Sequence, residues 1–407
     1  MSVSRRTFLK NSPALSVAGL DGEDTGNAAP PAKNPRLARS FKSATGRDVT
    51  SEAIHTGEEE GFSVTPIYQP KNIRGRYQRP ASGNPTLEAL EAKMRALEGA
   101  EAALSTACGM AAISQTVLTF VSSGDRVVAH RCNYDWVMTL FGEYLPKWGV
   151  EVVWVDMNDL DRVRDAVRAK KTNLVWFEPY VNPTMEVLDA PAIIRIAKEA
   201  GAMAAIDNTW LSPYLFQPLR HGADLVLHSA TKFICGHGNA MGGIVTGFQA
   251  LVEKVRRSTG PFGGLMRPFD AFLITQGIKT LPLRIERHCA SAQKVAAFLE
   301  RHPAVARVRY GGLVSWPGSR VGAGFTKGYG GMMGVEWKSD KIHKQFPRYL
   351  RMCKPWVSLG DVVTLVATRS EQPRRAIPPR YSRISIGLED PDDIIADFEQ
   401  AFKKASD

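Results

Sequence analysis

Apolar and polar positions follow two different periods along the chain from about residue 86. Leu87, Leu90, Met94 and Leu97 lie three or four positions apart, which places their side chains on one face of a helix. Further helices are predicted to begin at residue 109 and to span 190–200, and apolar runs predict strands at 126–129, 150–155, 173–177, 202–206 and 224–227. Short apolar strands separated by helices predict an α/β domain with a mostly parallel sheet that is flanked by helices.

A second unit is predicted from residue 266 onward. A long helix there carries Leu281, Ile285, Ala292 and Val295 at helical spacing. Strand-like patterns follow at residues 305–310, 332–337 and 383–386, and a last helix at residues 391–402 closes the chain. We therefore expect a larger domain at 86–265 and a smaller α/β C-terminal domain at 266–407.

The first 45 residues differ in composition from the rest of the chain. Residues 4–10, with the sequence SRRTFLK, resemble a twin-arginine export signal. The apolar stretch that follows is short, contains Pro13 and meets Asp21, so a disordered basic leader without a signal function fits the segment equally well. Residues 21–45 are rich in Gly, Pro, Ala, Asn and Ser and predict a flexible tail. We expect a cytoplasmic protein with a flexible leader at 1–45, with export by the twin-arginine route as the alternative.

Composition narrows the classes of function. The 407 residues are 44% hydrophobic and 23% charged, as is common for globular proteins, and no run reaches the about 18 apolar residues of a membrane span. The net charge of +11 is dispersed and accompanies no nucleic-acid-binding motif, so it favours the attraction of anionic substrates over a nucleic-acid partner. The five cysteines form no C-x-x-C pair. We expect no membrane, nucleic-acid or metal partner.

One segment combines groups that suit a phosphate-bearing aldehyde. Ser229 and Thr231 are two hydroxyls that can both bind a phosphate, and Lys232 beside them can condense with a carbonyl such as that of pyridoxal phosphate (PLP). Asp207 ends an apolar run and could pair with the cofactor's pyridinium nitrogen. These residues follow predicted strands, as Glu178 does, and the carboxyl ends of parallel strands meet at one edge of a sheet. The sequence therefore predicts that they converge in one crevice.

Taken together, these motifs resemble the Cys/Met-metabolism family of PLP-dependent enzymes, which includes cystathionine γ-lyase, cystathionine γ-synthase, methionine γ-lyase and O-acetylhomoserine sulfhydrylase. The resemblance covers roughly residues 65–405. It implies the fold-type I PLP-dependent transferase architecture, PLP as the cofactor and a small-molecule amino acid as the substrate. It also implies a homo-oligomer, a dimer of dimers, in which an N-terminal arm at 46–85 reaches the neighbouring subunit.

The resemblance implies roles for the residues around the cofactor. Lys232 matches the lysine that bonds to the cofactor aldehyde and acts in catalysis, and Asp207 matches the partner of the pyridine nitrogen. Ser229 and Thr231 match hydroxyls on the phosphate. Tyr134 matches the tyrosine that stacks on the ring and exchanges a proton with the leaving group.

Further matches carry the phosphate and the substrate. Gly109 and Met110 match a turn whose backbone N–H groups face the phosphate, with Cys108 in place of the usual serine. Two other sets follow from the same resemblance: Tyr77 and Arg79, which reach the neighbouring subunit's phosphate, and Asn182, Arg383 and Ser358, which contact the substrate, Asn182 also touching the cofactor. Arginine suits a carboxylate because its planar fork can bind both oxygens.

The resemblance implies γ-elimination on a methionine-, cystathionine- or homocysteine-type substrate, which gives a 2-oxo acid, ammonia and a thiol. Replacement of the γ-substituent by an incoming nucleophile is the alternative, and a protein that binds PLP without turnover is a remote one. Several departures leave the substrate open. Val357 favours an apolar substrate side chain, Trp136 is expected to reshape the pocket, and the usual His-Pro segment is missing between Leu365 and Arg383.

Overall fold

The computed structural model describes residues 46–58, 64–69, 72–73, 76–77, 83–372 and 375–406. The leader at 1–45 and Arg79 lie outside these residues, and of Tyr77 only the backbone is described. The helices are α1 (Val49–His55), α2 (Pro85–Glu98), α3 (Gly109–Phe120), α4 (Asp135–Thr139), α5 (Leu145–Lys147), α6 (Leu160–Arg168), α7 (Ala190–Glu199), α8 (Ser212–Leu215), α9 (Gln249–Phe262), α10 (Pro268–Lys279), α11 (Leu281–Arg301), α12 (Gly318–Phe325), α13 (Asp340–Tyr349) and α14 (Pro391–Ser406).

The strands form three sheets among the described residues. They are β1 (Asn72–Ile73), β2 (Arg76–Tyr77), β3 (Ala102–Thr106), β4 (Arg126–His130), β5 (Glu151–Val155), β6 (Leu174–Phe177), β7 (Met203–Asp207), β8 (Leu225–Ser229), β9 (Gly243–Gly247), β10 (Val305–Arg309), β11 (Met332–Trp337), β12 (Leu365–Arg369) and β13 (Tyr381–Ser385). The short hairpin β1-β2 stands apart from a seven-stranded and a four-stranded sheet.

The seven-stranded sheet has the order β3-β9-β8-β7-β6-β4-β5. Strands β4 to β8 pair in parallel, which confirms the predicted mostly parallel sheet. Strands β3 and β9 pair antiparallel at one edge and were not predicted from the sequence. Gly243 and Gly247 bound β9, and a Cβ at Gly243 would lie 2.2 Å from the Cys108 carbonyl oxygen. The β-branched Ile244, Val245 and Thr246 suit a strand, and the glycine at 243 permits the close approach to that carbonyl.

Helices cover both faces of the large sheet. Neighbouring strand residues point to opposite faces, so Val128, Val175 and Ile206 pack on one side with α2, α7 and α10. Trp176 and Val127 pack on the other side with α3 and α9. Burial on both faces explains why these strands read as continuous apolar runs instead of alternating patterns.

The smaller sheet is antiparallel, in the order β10-β11-β13-β12, and confirms the predicted smaller α/β unit. Its core includes Val335 and Ile384 from the strands and Phe398 from α14. Helix α11 serves both cores, since Ile285 packs with the large sheet whereas Val295 packs with the small one. The domain bounds at 86–265 and 266–407 stay a prediction, and the change from one core to the other falls within this helix.

The segment before the large domain packs against it in this chain. Val49 and Ala53 of α1 are buried in the same core as α2. The role of residues 46–85 as an arm towards a neighbouring subunit stays a prediction. Within the described part of the chain, no helix combines the length and the apolar character needed to cross a bilayer.

Asn84 fixes the start of α2. Its Oδ1 accepts from Thr86 N at 3.0 Å and Leu87 N at 3.4 Å, and its Nδ2 donates to Tyr68 O at 2.7 Å. Pro85 occupies the first helical position, where its missing N–H costs nothing. One buried side chain thus caps the helix and ties down the incoming chain.

We expect Asn84→Ala to lower the free energy of unfolding by about 1–2 kcal/mol, because the cap and the bond to Tyr68 are both lost. Asn84→Ser keeps an N-cap acceptor without adding a buried charge and loses only the amide donor, so its loss of stability is expected to be smaller. Thermal unfolding of the two variants beside the parent protein measures this order. Equal stability of Asn84→Ala and the parent would contradict it.

Candidate active site

Three strands of the large sheet end at one cavity. Glu178 directly follows β6, Asp207 ends β7 and Ser229 ends β8. The cavity has a volume of about 500 Å³. The structure brings the following sequence-predicted site residues into its lining: Gly109, Met110, Tyr134, Asn182, Asp207, Ser229, Thr231, Lys232, Ser358 and Arg383.

The N-terminus of α3 forms one end of the cavity. The first turn of a helix leaves N–H groups without partners inside the helix, and the aligned peptide dipoles favour an anion there. Gly109 is required because a Cβ at this position would lie 2.7 Å from Ser229 Cβ. Cys108 takes over the cap, its Sγ accepting from Ala111 N at 3.4 Å. The Thr231 hydroxyl accepts from Gly242 N at 2.9 Å.

Asp207 is a buried carboxylate on the cavity wall. Its Oδ1 accepts from Thr209 N at 3.0 Å, and Thr209 Oγ1 in turn accepts from Ser229 N at 2.7 Å. Asp207 forms no ion pair with any described residue, and burial raises its pKa. A buried carboxylate without a cation is costly. A cationic group in the cavity would therefore be stabilised beside it.

Glu178 links two other residues of the site. Its Oε1 accepts from Tyr134 N at 2.6 Å and its Oε2 accepts from Asn182 N at 2.9 Å. Burial, and then the charge of Asp207, raise the pKa of Glu178. The sequence placed Glu178 beside the crevice without a role, and the structure shows that it positions the backbone of both neighbours.

A continuous chain of hydrogen bonds joins the two domains across the cavity. Lys232 Nζ donates to Ser358 Oγ at 2.9 Å, and the Ser358 carbonyl accepts from Arg383 Nη2. Arg383 Nη1 donates to Asn182 Oδ1 at 2.8 Å. Ser358 has a φ of 91°, in the left-handed region that a residue with a Cβ rarely adopts. This conformation presents its hydroxyl to the lysine and its carbonyl to the arginine.

Two cationic groups in this series of hydrogen bonds, Arg383 and Lys232, lie close together without a carboxylate partner among the described residues. Burial lowers the pKa of Arg383 to about 9, which leaves it cationic at neutral pH, and it forms no ion pair with a described residue. Its buried Nε also has no hydrogen-bond partner among them. Burial, and then the charge of Arg383, lower the pKa of Lys232. The arrangement therefore offers a guanidinium ready for an anion beside an amine that is biased towards its neutral form.

Tyr134 also lines the cavity. Burial, and then Asp135, raise the pKa of its phenol, so the hydroxyl keeps its proton at neutral pH. Trp136, which was expected to reshape the pocket, is 60% exposed and is not among the lining residues. That expectation was wrong for this chain, since the indole is not part of the cavity wall.

Two charged lining residues were missed by the sequence analysis. Asp135 directly follows Tyr134, and Arg369 ends β12, and they contact each other at 3.4 Å. The missing His-Pro segment before Arg383 was a signal that this wall is built differently. Which residue lines that wall instead depends on the register of β12 with β13, and the sequence alone does not reveal this register.

These features fit the PLP that the resemblance implies. A phosphate suits the N-terminus of α3 with the Ser229 and Thr231 hydroxyls, and a protonated ring nitrogen suits the buried Asp207, which has no ion-pair partner among the described residues. Lys232 is the lysine that lines the cavity. Tyr77 and Arg79 cannot be placed in it, since the side chain of the one and the whole of the other lie outside the described residues.

Comparison with known proteins agrees with this geometry. The L-methionine gamma-lyase of Pseudomonas putida is 39% identical over 389 residues, covering 88% of this chain and 97% of the relative. The canavanine gamma-lyase of Rhizobium leguminosarum bv. trifolii is 38% identical, covering 87% of this chain and 92% of the relative. The structure of cystathionine gamma synthase from Xanthomonas oryzae pv. oryzae, in complex with aminoacrylate and cysteine, superposes with a TM-score of 0.84 at 31% identity, covering 88% of this chain and 98% of that chain.

The family profile described as Cys/Met metabolism PLP-dependent enzyme matches residues 57–403. This range holds both domains and every described residue of the cavity. The chain therefore belongs to the Cys/Met metabolism family of PLP-dependent enzymes.

Proposed function

We propose that this enzyme cleaves the γ-substituent from a sulfur amino acid by elimination, so that amino acid and water give 2-oxo acid, ammonia and thiol. The observation that carries the proposal is the hydrogen-bonded chain from Lys232 through Ser358 to Arg383. It supports a site in which a carboxylate-binding cation and a proton-accepting amine act on the same small molecule.

Arg383 and Lys232 divide the work on the α-amino acid. The unpaired Arg383 guanidinium binds the substrate α-carboxylate, because a planar fork matches two carboxylate oxygens. A carboxylate held there places the substrate Cα within reach of the Lys232 side chain. The lowered pKa of Lys232 favours the neutral amine, which can accept the Cα proton. Asn182 holds Arg383 in place from the large domain.

Tyr134 serves the leaving group. Its phenol is protonated at neutral pH because burial and Asp135 raise its pKa. A phenol on the cavity wall can donate that proton to the departing sulfur. Glu178 holds the Tyr134 backbone and so positions this acid.

The remaining lining residues hold the cofactor. Ser229, Thr231 and the first amides of α3, at Gly109 and Met110, bind its phosphate, and Asp207 pairs with its ring nitrogen. Bound PLP supplies an electron sink that makes the substrate's α- and β-protons removable. The chain's own residues then decide which protons move and which group leaves.

The relatives support elimination, since methionine and canavanine gamma-lyases match most of this chain. γ-Replacement is the second candidate, because a cystathionine gamma synthase has the same fold over 88% of the chain. We also propose a homo-oligomer, a dimer of dimers, in which Tyr77 and Arg79 reach the phosphate of a neighbouring subunit. A cytoplasmic location, with twin-arginine export as the alternative, is part of the same proposal.

A substrate panel tests elimination against replacement. We expect PLP-loaded protein to release 2-oxobutyrate and ammonia from methionine or cystathionine without any second substrate. Replacement predicts instead that O-acetylhomoserine and sulfide give homocysteine, with little 2-oxobutyrate when sulfide is present. No product from any of these substrates would contradict both candidates and favour a non-catalytic PLP-binding protein.

Borohydride reduction tests the assignment of Lys232. We expect reduced protein to carry one cofactor mass on the peptide that contains Lys232, and Lys232→Ala to lose both this label and turnover. Lys93 and Lys327 are internal controls, because burial lowers the pKa of each to about 8 although neither lines the cavity. A label on either control in place of Lys232 would overturn the assignment.

Two variants of Ser358 separate its hydroxyl from its backbone conformation. Ser358→Ala and Ser358→Gly both lose the bond to Lys232, so each is expected to lower kcat about tenfold, the effect of one hydrogen bond to an amine. Ser358→Gly also relieves the strain of the positive φ, so its free energy of unfolding is expected to be about 1 kcal/mol higher than that of Ser358→Ala. Steady-state rates and thermal unfolding measure the two effects. A much larger activity loss in Ser358→Gly alone would assign the role to the rigid backbone.

A further inference from the structure

Two guanidiniums contact a single carboxylate beside the cavity, and a third lies near them. Asp135 contacts Arg369 at 3.4 Å and also pairs with Arg375. Arg383 lies close enough for the charge of Arg369 to contribute to lowering its pKa. Among the described residues, Asp135 is the carboxylate that Arg369 and Arg375 contact, and Arg383 contacts none. Cationic charge is therefore in excess here before any substrate enters.

Arg369 and Arg383 point to the same face of the small sheet. Ala367 of β12 lies directly opposite Arg383 of β13, and opposed residues of antiparallel strands share a face. Arg369 is two residues beyond Ala367, so it lies on that face as well. Both arginines line the cavity. The second guanidinium thus stands one strand away from the one assigned to the α-carboxylate.

Arg369 and Arg375 differ in the number of hydrogen bonds that hold them in this chain. Arg375 donates to Asn133 O at 2.6 Å and to Gln372 Oε1 at 3.0 Å, besides its pair with Asp135. Arg369 makes one long contact, to Asp135, and the buried Nε of both arginines has no hydrogen-bond partner among the described residues. Arg375 is therefore a support for the loop, whereas Arg369 has donors to spare.

The position of Arg369 corresponds to the leaving-group end of the site. Arg369 contacts Asp135, the residue that directly follows Tyr134, and both Arg369 and Tyr134 line the cavity, so Arg369 lies near the group proposed to protonate the leaving atom. An anion on the far side of that atom would meet Arg369. The other lining carboxylates, Glu178 and Asp207, are buried in the large domain and do not pair with it.

We propose that Arg369 binds a carboxylate at the far end of the substrate's γ-substituent, so that this enzyme selects amino acids with a distal anion. The proposal rests on the proposed γ-elimination and narrows its substrate class. Cystathionine-type substrates meet the requirement, whereas methionine, with its neutral methyl end, leaves Arg369 without a partner. Asp135 occupies the guanidinium weakly until such a substrate displaces it.

A matched substrate pair tests the proposal on the PLP-loaded enzyme. O-Succinylhomoserine and O-acetylhomoserine share the ester at the γ-position and differ in the distal carboxylate. The dissociation constant of each is measured from the change in cofactor absorbance, and kcat/KM from 2-oxobutyrate release. We expect the parent enzyme to favour the succinyl ester, and Arg369→Met to weaken it about 10- to 100-fold, the effect of one charge-assisted bidentate contact, while the acetyl ester changes less than about threefold.

Asp135→Asn distinguishes anion binding from a structural latch. Removing the competing carboxylate is expected to keep or strengthen binding of the succinyl ester, opposite to Arg369→Met. If the Asp135–Arg369 pair only closes the cavity, both variants fail alike with both esters, which would overturn the proposal. Arg369→Lys keeps the positive charge but lacks the planar guanidinium, so its affinity for the succinyl ester is expected to lie between those of the parent enzyme and Arg369→Met. Arg162→Met, at a 72% exposed side chain outside the cavity, controls for loss of a positive charge.

The two proposals fail in different ways. If the parent enzyme releases no 2-oxobutyrate from any substrate, elimination is wrong, and the ratio of the two dissociation constants still decides the role of Arg369. If elimination proceeds but the parent enzyme binds both esters equally, the distal-anion site is wrong and the proposed elimination stands.

Discussion

The site depends on one bridge between two separately packed domains. Lys232 follows a strand of the large sheet, Arg383 lies within the small sheet, and Ser358 contacts both through its hydroxyl and its carbonyl. Arg383 also donates to Asn182, which lies in the large domain. Because helix α11 packs into both cores, the two sheets are held at a spacing that lets these short contacts form. A shift of one domain would separate the amine from the carboxylate-binding cation.

Electrostatics within the cavity follow from what is left unpaired. Asp207 is buried without a cation, and Arg383 is buried without an anion. Such groups are costly in a folded chain unless a ligand completes them. The PLP ring and the substrate carboxylate have the opposite charges. The same reasoning, applied to the excess of guanidinium groups near Asp135, leads to a second anion on the substrate.

Family membership and substrate choice rest on different residues. The lining residues Asp207, Ser229, Thr231 and Lys232 match the family pattern, and they line the part of the cavity in which we propose that the cofactor binds. Arg369 lies in the segment that departs from that pattern, and Asp135 contacts it. Relatives at 38% and 39% identity are named for different substrates, canavanine and methionine. The departures are therefore the places in which this chain's own specificity is expected.

The sequence by itself determined the family, the mostly parallel sheet and the helices, because apolar periodicity and the Ser-Ala-Thr-Lys segment are local patterns. It did not reveal strands β3, β9 and β12, whose pairing depends on glycine-permitted close approach and on partners far along the chain. It also misplaced Trp136, and it missed Arg369. Only tertiary structure decided these points, since the direction of a side chain depends on strand register and helix packing, which no short segment encodes.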